Sequence, residues 1–144
     1  MLDDIGLAPT LRWYIKSHLQ DVGPTIVADF EGATLRLPGE VETALYRIAQ
    51  EVLSNAVRHA AATKIVIRLE VRPGYADLAV IDNGLGFDPE VTLHDPGRRG
   101  VGLLSIRERV ELLGGTVNIV SAIGRGTRVY TVIPFDNDQP AEKP

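Results

Sequence analysis

The sequence predicts a two-layer α/β sandwich: a mixed, mostly antiparallel sheet of about five or more strands with helices packed on one face. Three observations lead there. Residues 40–61 carry a long apolar stripe at helical spacing, two β-rich runs joined by a tight turn follow it, and two more β-rich runs come after a second helical stripe. Strands of this kind bury one side only when another layer covers it, and the helical stripes supply that layer.

The elements follow in order. Leu11, Tyr14, Ile15 and Leu19 recur at helical spacing, Pro9 suits the first turn of that helix, and Gly23-Pro24 stops it. Residues 25–30 and 34–37 read as two short strands, split by Glu31-Gly32-Ala33 and closed by Pro38-Gly39. From 40 to 61, Val41, Leu45, Ile48, Val52, Ala56 and Ala60 form one helical stripe, widened by Ala44, Ala49 and Leu53. Residues 64–71 and 76–81 read as a hairpin turning at Arg72-Pro73-Gly74-Tyr75. Residues 84–102 are rich in glycine and proline and read as a long loop, a feature that tends to be functional in a compact domain. A helix over about 102–113, with Leu103, Ile106, Val110 and Leu113 on one face, ends at Gly114-Gly115. The last strands are 116–121 and 127–134, and the polar tail from Asp136 is expected to be disordered.

Composition narrows the function. The chain has 144 residues, enough for one domain with its own core, and 44% hydrophobic and 24% charged residues. A formal net charge of -4 argues against nucleic acid as a partner. The absence of cysteine removes disulfides, thiolate metal sites and thiol nucleophiles, and fits a cytoplasmic location. No apolar run reaches the ~20 residues of a membrane span, so any membrane anchor of a parent protein is expected outside this chain.

Four segments carry candidate chemistry. On the helix over 40–61, Glu51, Asn55 and Arg58 fall on one flank of the stripe, where a carboxylate can take a proton and an amide oxygen can ligate Mg²⁺. The plain alternative is a solvated helix edge. Asp82-Asn83-Gly84-Leu85-Gly86-Phe87 follows a strand; it reads as a tight turn, or as an acid and two glycines admitting a flat ligand whose amine Asp82 accepts. Gly100-Val101-Gly102-Leu103 opens a helix whose free amides attract anions, with Arg98 and Arg99 just before it. Gly124-Arg125-Gly126-Thr127 reads alone as a hairpin turn. No GxxxxGK[ST] phosphate loop is present.

In this order and spacing, the four segments resemble the catalytic, ATP-binding domain of bacterial sensor histidine kinases. That family lies within the superfamily shared with gyrase, heat-shock chaperone and mismatch-repair ATPases. Gln50 to Ala60 resembles its N box, and Asp82–Gly86, Gly100–Gly102 and Gly124–Thr127 resemble its three glycine boxes. The short lid and the spacing of Glu51 and Asn55 look most like the NarL-partnered subclass, which contains nitrate and lipid-fluidity sensors. The resemblance implies the Bergerat-type fold and Mg-ATP as the ligand. It implies that Asn55 ligates Mg²⁺ and Arg58, Arg99, Gly100, Val101, Gly102 and Leu103 line the phosphates. Asp82 would hold the adenine amine, supported by Thr127; Gly84 would let the base approach, Gly86 would hinge the lid, and Glu51 would act as base. Two departures stand out: Arg58 replaces a frequent lysine, and the phenylalanine-rich lid box is missing.

The same resemblance sets expectations for the phospho-acceptor. It should be a histidine on a dimerisation helix, followed by an acid. His94-Asp95 has the dipeptide in a loop without helical period, His59 reads as a packed or capping residue, and His18 as an exposed helical position. Residues 1–20 resemble the end of a dimerisation helix and its linker, residues 21–135 the catalytic domain, and 136–144 a disordered tail. The acceptor is therefore expected upstream, in a parent that dimerises and passes phosphate to a NarL-type response regulator. Competing readings are an anti-sigma-type serine kinase, a non-catalytic nucleotide-binding module, and a gyrase-like ATPase with Glu51 activating water.

Overall fold

The computed structural model describes residues 1–21, 23–33, 35–90 and 98–136, with the backbone alone for 98–101 and 103. The chain begins with two short helices, α1 (Leu2–Ile5) and α2 (Leu7–Tyr14), and a π-helical turn over Ile15–Leu19. Leu7, Leu11 and Leu19 are buried in the core, and the buried Thr10 hydroxyl donates to the Gly6 carbonyl at 2.6 Å. Strand β1 (Thr25–Asp29) follows, then the long α3 (Gly39–His59). The hairpin of β2 (Lys64–Arg72) and β3 (Tyr75–Asp82) turns at Gly74. Helix α4 (Arg98–Leu112), β4 (Thr116–Ser121) and β5 (Thr127–Pro134) complete the order.

The five strands form one sheet in the order β1-β2-β3-β5-β4. Only β1 and β2 run parallel; the other three pairings are antiparallel. Alternation sets the faces. Ile65, Ile67 and Leu69 of β2, Ala76, Leu78 and Val80 of β3, and Val129 and Ile133 of β5 are buried in one core with the α3 stripe and with Ile106 and Val110 of α4. Arg68, Arg72, Arg128 and Asn118 belong to the alternate, open side. This is the expected two-layer sandwich, one face covered and one face wet.

One expected strand is absent. Thr34 lies outside the described residues, and Leu35, Arg36 and Leu37 form no strand. Their alternation looks β-like, but the polar groups of Arg36 and Leu37 turn toward α3. Arg36 grips the buried Glu42 carboxylate through two bonds of 3.0 and 3.1 Å, and the Leu37 amide donates to it at 3.3 Å. A buried carboxylate without such partners is costly, so this bracket overrides the strand pattern. The same guanidinium donates to the Asp3 carbonyl at 3.2 Å and so ties the N-terminal segment to the start of α3.

Two further boundaries and one exposure differ. Helix α3 ends at His59, with Ala61 in a left-handed conformation at φ 52. Helix α4 begins at Arg98 and takes in the last residues expected to be loop. His59 is exposed, not packed, because it sits on the polar side of the last helical turn. The tail expected from Asp136 lies outside the described residues from 137 onward, as does His94.

Candidate functional site

Geometry on α3 decides where the N-box residues point. Taking Glu51 as zero, Asn55 lies about 40° toward the apolar stripe and Arg58 about 20° away from it, at 100° per residue. The two therefore diverge. Asn55 enters a narrow cleft of about 30 Å³ with Val52, Ala56, Ala60, Asp82, Gly86, Phe87, Thr127 and Val129. Glu51 and Arg58 instead line a second cavity of about 530 Å³, together with Tyr14, Arg47, Ser54, Gly102 and Arg109. One flank of α3 thus borders two cavities, Asn55 the first and Glu51 and Arg58 the second.

The floor of the cleft comes from the sheet. Asp82 and Thr127 face each other across β3 and β5, and Thr127 faces Ser121 across β5 and β4. They extend the helix-facing rows of those strands past the apolar core, so a polar row emerges where the core stops. Ser121 Oγ lies 2.8 Å from Thr127 Oγ1, donates to the Gly126 carbonyl at 3.0 Å, and accepts the Phe87 amide at 2.9 Å. Asp82 is only 8% exposed, and one carboxylate oxygen accepts the Gly84 amide at 2.8 Å.

The loop after Asp82 is sewn down on both sides. The Asn83 side chain brackets Thr63 and Lys64 with three bonds of 2.8 to 3.0 Å. The Leu85 amide donates to the Ala60 carbonyl and the Gly124 amide to the Leu85 carbonyl, each at 2.6 Å. Gly84 abuts the backbone of Ala60, where a Cβ would collide with the Ala60 carbonyl. Its need for glycine is therefore met by packing against the end of α3. Gly86 adopts φ 70, a left-handed conformation that favours glycine, and lies against the Ala122 carbonyl.

The second cavity is electropositive. Arg47, Arg58 and Arg109 line it opposite a single carboxylate, Glu51, and none of the three forms an ion pair among the described residues. Gly102, in the first turns of α4, sits so close to Glu51 that a Cβ there would lie 2.5 Å from Oε2. The backbone of Gly100, Val101, Gly102 and Leu103 is already helical, and the amides that the helix leaves free are those of its first turn, from Arg98. The side chains of Arg99, Val101 and Leu103 lie outside the described residues.

Two buried side-chain polar atoms among the described residues lack a hydrogen-bond partner, Asn55 Nδ2 and Thr131 Oγ1. Only Asn55 borders the cleft. A buried amide left unpaired is costly, and one facing a cleft is matched to a polar ligand. A half-turn of that side chain presents Oδ1 instead, an oxygen that suits a hard cation. No group of three or more His, Cys, Asp or Glu side chains able to hold a metal occurs among the described residues. A Mg²⁺ ion does not require one, since it takes most of its ligands from phosphates and water.

Sequence reasoning missed several of these residues. Phe87 closes the Asp82–Phe87 segment read from the sequence but was given no role there. Arg47 is one helical turn before Glu51, a spacing that places it beside the carboxylate. Ser121, Arg109 and Tyr14 carried no local signal, because only tertiary folding brings them to Thr127 and Glu51.

The combination of an acid at a strand end, an unpaired helix amide above it and an adjoining cationic cavity defines a nucleotide-binding domain. The chain belongs to the family of histidine kinase-, DNA gyrase B- and HSP90-like ATPases, whose model matches residues 40–137. Within that family it is an ATP-binding catalytic domain of the sensor histidine kinase kind. It is 38% identical to the signal transduction histidine-protein kinase/phosphatase DegS of Bacillus subtilis (strain 168) over 93% of its length. It is 36% identical, again over 93%, to the oxygen sensor histidine kinase NreB of Staphylococcus carnosus (strain TM300). The chain spans only 35% and 38% of those two proteins. The blue-light activated histidine kinase of Erythrobacter litoralis EL346 superposes with a TM-score of 0.71 at 25% identity, covering 92% of this chain and 42% of that one. The mycobacterial sensor histidine kinase MprB shares the fold, with a TM-score of 0.60 at 22% identity over 90% of this chain and 92% of that one. No helix among the described residues is long and apolar enough to cross a membrane.

Proposed function

We propose that this domain transfers the γ-phosphoryl group of Mg-ATP to a histidine on a separate dimerisation-helix segment, within a dimeric sensor kinase that feeds a NarL-type response regulator. The observation that carries the nucleotide half is the unpaired Asn55 amide facing the cleft floored by Asp82 and Thr127. Residues 1–20 serve as the linker to the dimerisation helices and 21–135 as the catalytic domain.

In this reading Asp82 accepts the exocyclic amine of adenine, and Thr127 and Ser121 hold the adjoining polar row. Gly86 gives the backbone its turn beneath the base. Arg58, with the amides of Gly100 to Leu103 and the side chain of Arg99, neutralises the phosphates. Asn55 would hold Mg²⁺, which would supply positive charge to offset that of the phosphates. Glu51 takes the proton from one imidazole nitrogen of the acceptor as the other bonds to phosphorus and the bond to ADP breaks. His18 and His59 are exposed, and neither borders the cavity that holds the proposed base.

Incubation with Mg²⁺ and γ-labelled ATP is expected to leave this chain unlabelled while labelling an added dimerisation domain. Phosphohistidine on this chain alone would overturn the assignment of the acceptor. Asn55→Ala is expected to remove most of the Mg²⁺ dependence of ATP binding by calorimetry, while metal-free binding changes little. An unchanged response to Mg²⁺ would exclude Asn55 as its ligand.

A further inference from the structure

The second cavity has a wall from an unexpected place. Tyr14, the last residue of α2, lines it together with Glu51, Arg58 and Gly102. Its ring is held from two sides, stacked on His18 at 5.1 Å with an interplanar angle of 21° and edge-on to Tyr46 at 6.2 Å. The ring is therefore fixed, while its hydroxyl has no hydrogen-bond partner among the described residues. An oriented donor in a cavity that also holds three arginines is matched to an anionic oxygen.

We propose that the Tyr14 hydroxyl is a phosphate ligand, donating a hydrogen bond to the γ-phosphoryl group of bound ATP. The proposal rests on the ATP reading given above and extends it to a residue of the linker. The cavity assigns the phosphate in question. Adenine occupies the cleft of Asp82, and the cavity next along α3 holds the proposed base Glu51, which must stand beside the group being transferred. The hydroxyl also remains a donor at neutral pH. Burial raises its pKa above the ordinary tyrosine value, the Tyr46 phenol adds to this, Arg58 opposes it, and Glu51 again raises it. The phenol lines the same cavity as Arg58 and Glu51.

The test compares ATP with ADP, which differ by the γ-phosphate alone. Calorimetry with Mg²⁺ is expected to show Tyr14→Phe losing about tenfold in affinity for ATP, the loss expected for one hydrogen bond to a charged group, with ADP unaffected. Tyr46→Phe, a phenol packed beside it but not lining the cavity, is expected to bind both like the original chain. Equal losses for ATP and ADP in Tyr14→Phe would overturn the proposal and leave Tyr14 a packing residue. So would unchanged affinity for both, or the same selective loss in Tyr46→Phe. Failure of the unsubstituted chain to bind either nucleotide would instead bring down the ATP reading, and this proposal with it.

Discussion

Asp82→Asn is expected to cost the chain about 100-fold in affinity for ATP and ADP alike. A hydrogen bond to a charged group contributes about 1.5–3 kcal/mol, and each 1.4 kcal/mol is tenfold in affinity. The asparagine keeps the size of the side chain and retains one oxygen for the Gly84 amide, now held at 2.8 Å. Its other end then presents an amine to the adenine amine, so two donors meet where a donor met an acceptor. With Asp82 only 8% exposed, water has little room to repair the mismatch. Calorimetry measures the loss directly. Undiminished affinity would show that Asp82 does not read the base.

Glu51→Gln is expected to separate binding from chemistry. A general base contributes about 10²–10⁴-fold to rate, so transfer to a supplied dimerisation domain should slow by that order. ATP affinity should hold, because Glu51 is proposed to meet the acceptor imidazole and makes no contact with the base cleft. Glutamine also fills the same space against Gly102, where a larger side chain has none. Single-turnover transfer of label, followed beside equilibrium binding, gives both quantities. A Glu51→Gln chain that transfers at the original rate would remove Glu51 from the chemistry. One that loses ATP affinity in step with rate would make it a binding residue.

The difference between what sequence shows and what folding adds is visible in particular residues. Helix α3 was legible because eight apolar positions recur at one period within its 21 residues, and no other element accommodates that pattern. The β2–β3 hairpin was legible because a Pro-Gly turn separates two strand-like runs. Residues 34–37 misled because alternation does not reveal that Arg36 is needed by Glu42, six residues further on. The candidate boxes were legible as ordered motifs, but their partition was not. That Asn55 leaves Glu51 and Arg58 for a different cavity follows from the tilt of the apolar stripe, which the wheel contains but the motif conceals. Tyr14 and Ser121 were invisible as site residues, since each reaches the site only through a contact distant in sequence.

The π-helical turn over Ile15–Leu19 adjusts the phase between α2 and the sheet. Leu11 and Leu19 are both buried, yet eight steps of regular α-helix would leave them about 80° apart. The wider turn absorbs that excess. Both leucines thus anchor on the same core while Tyr14, between them, stays aimed at the cavity.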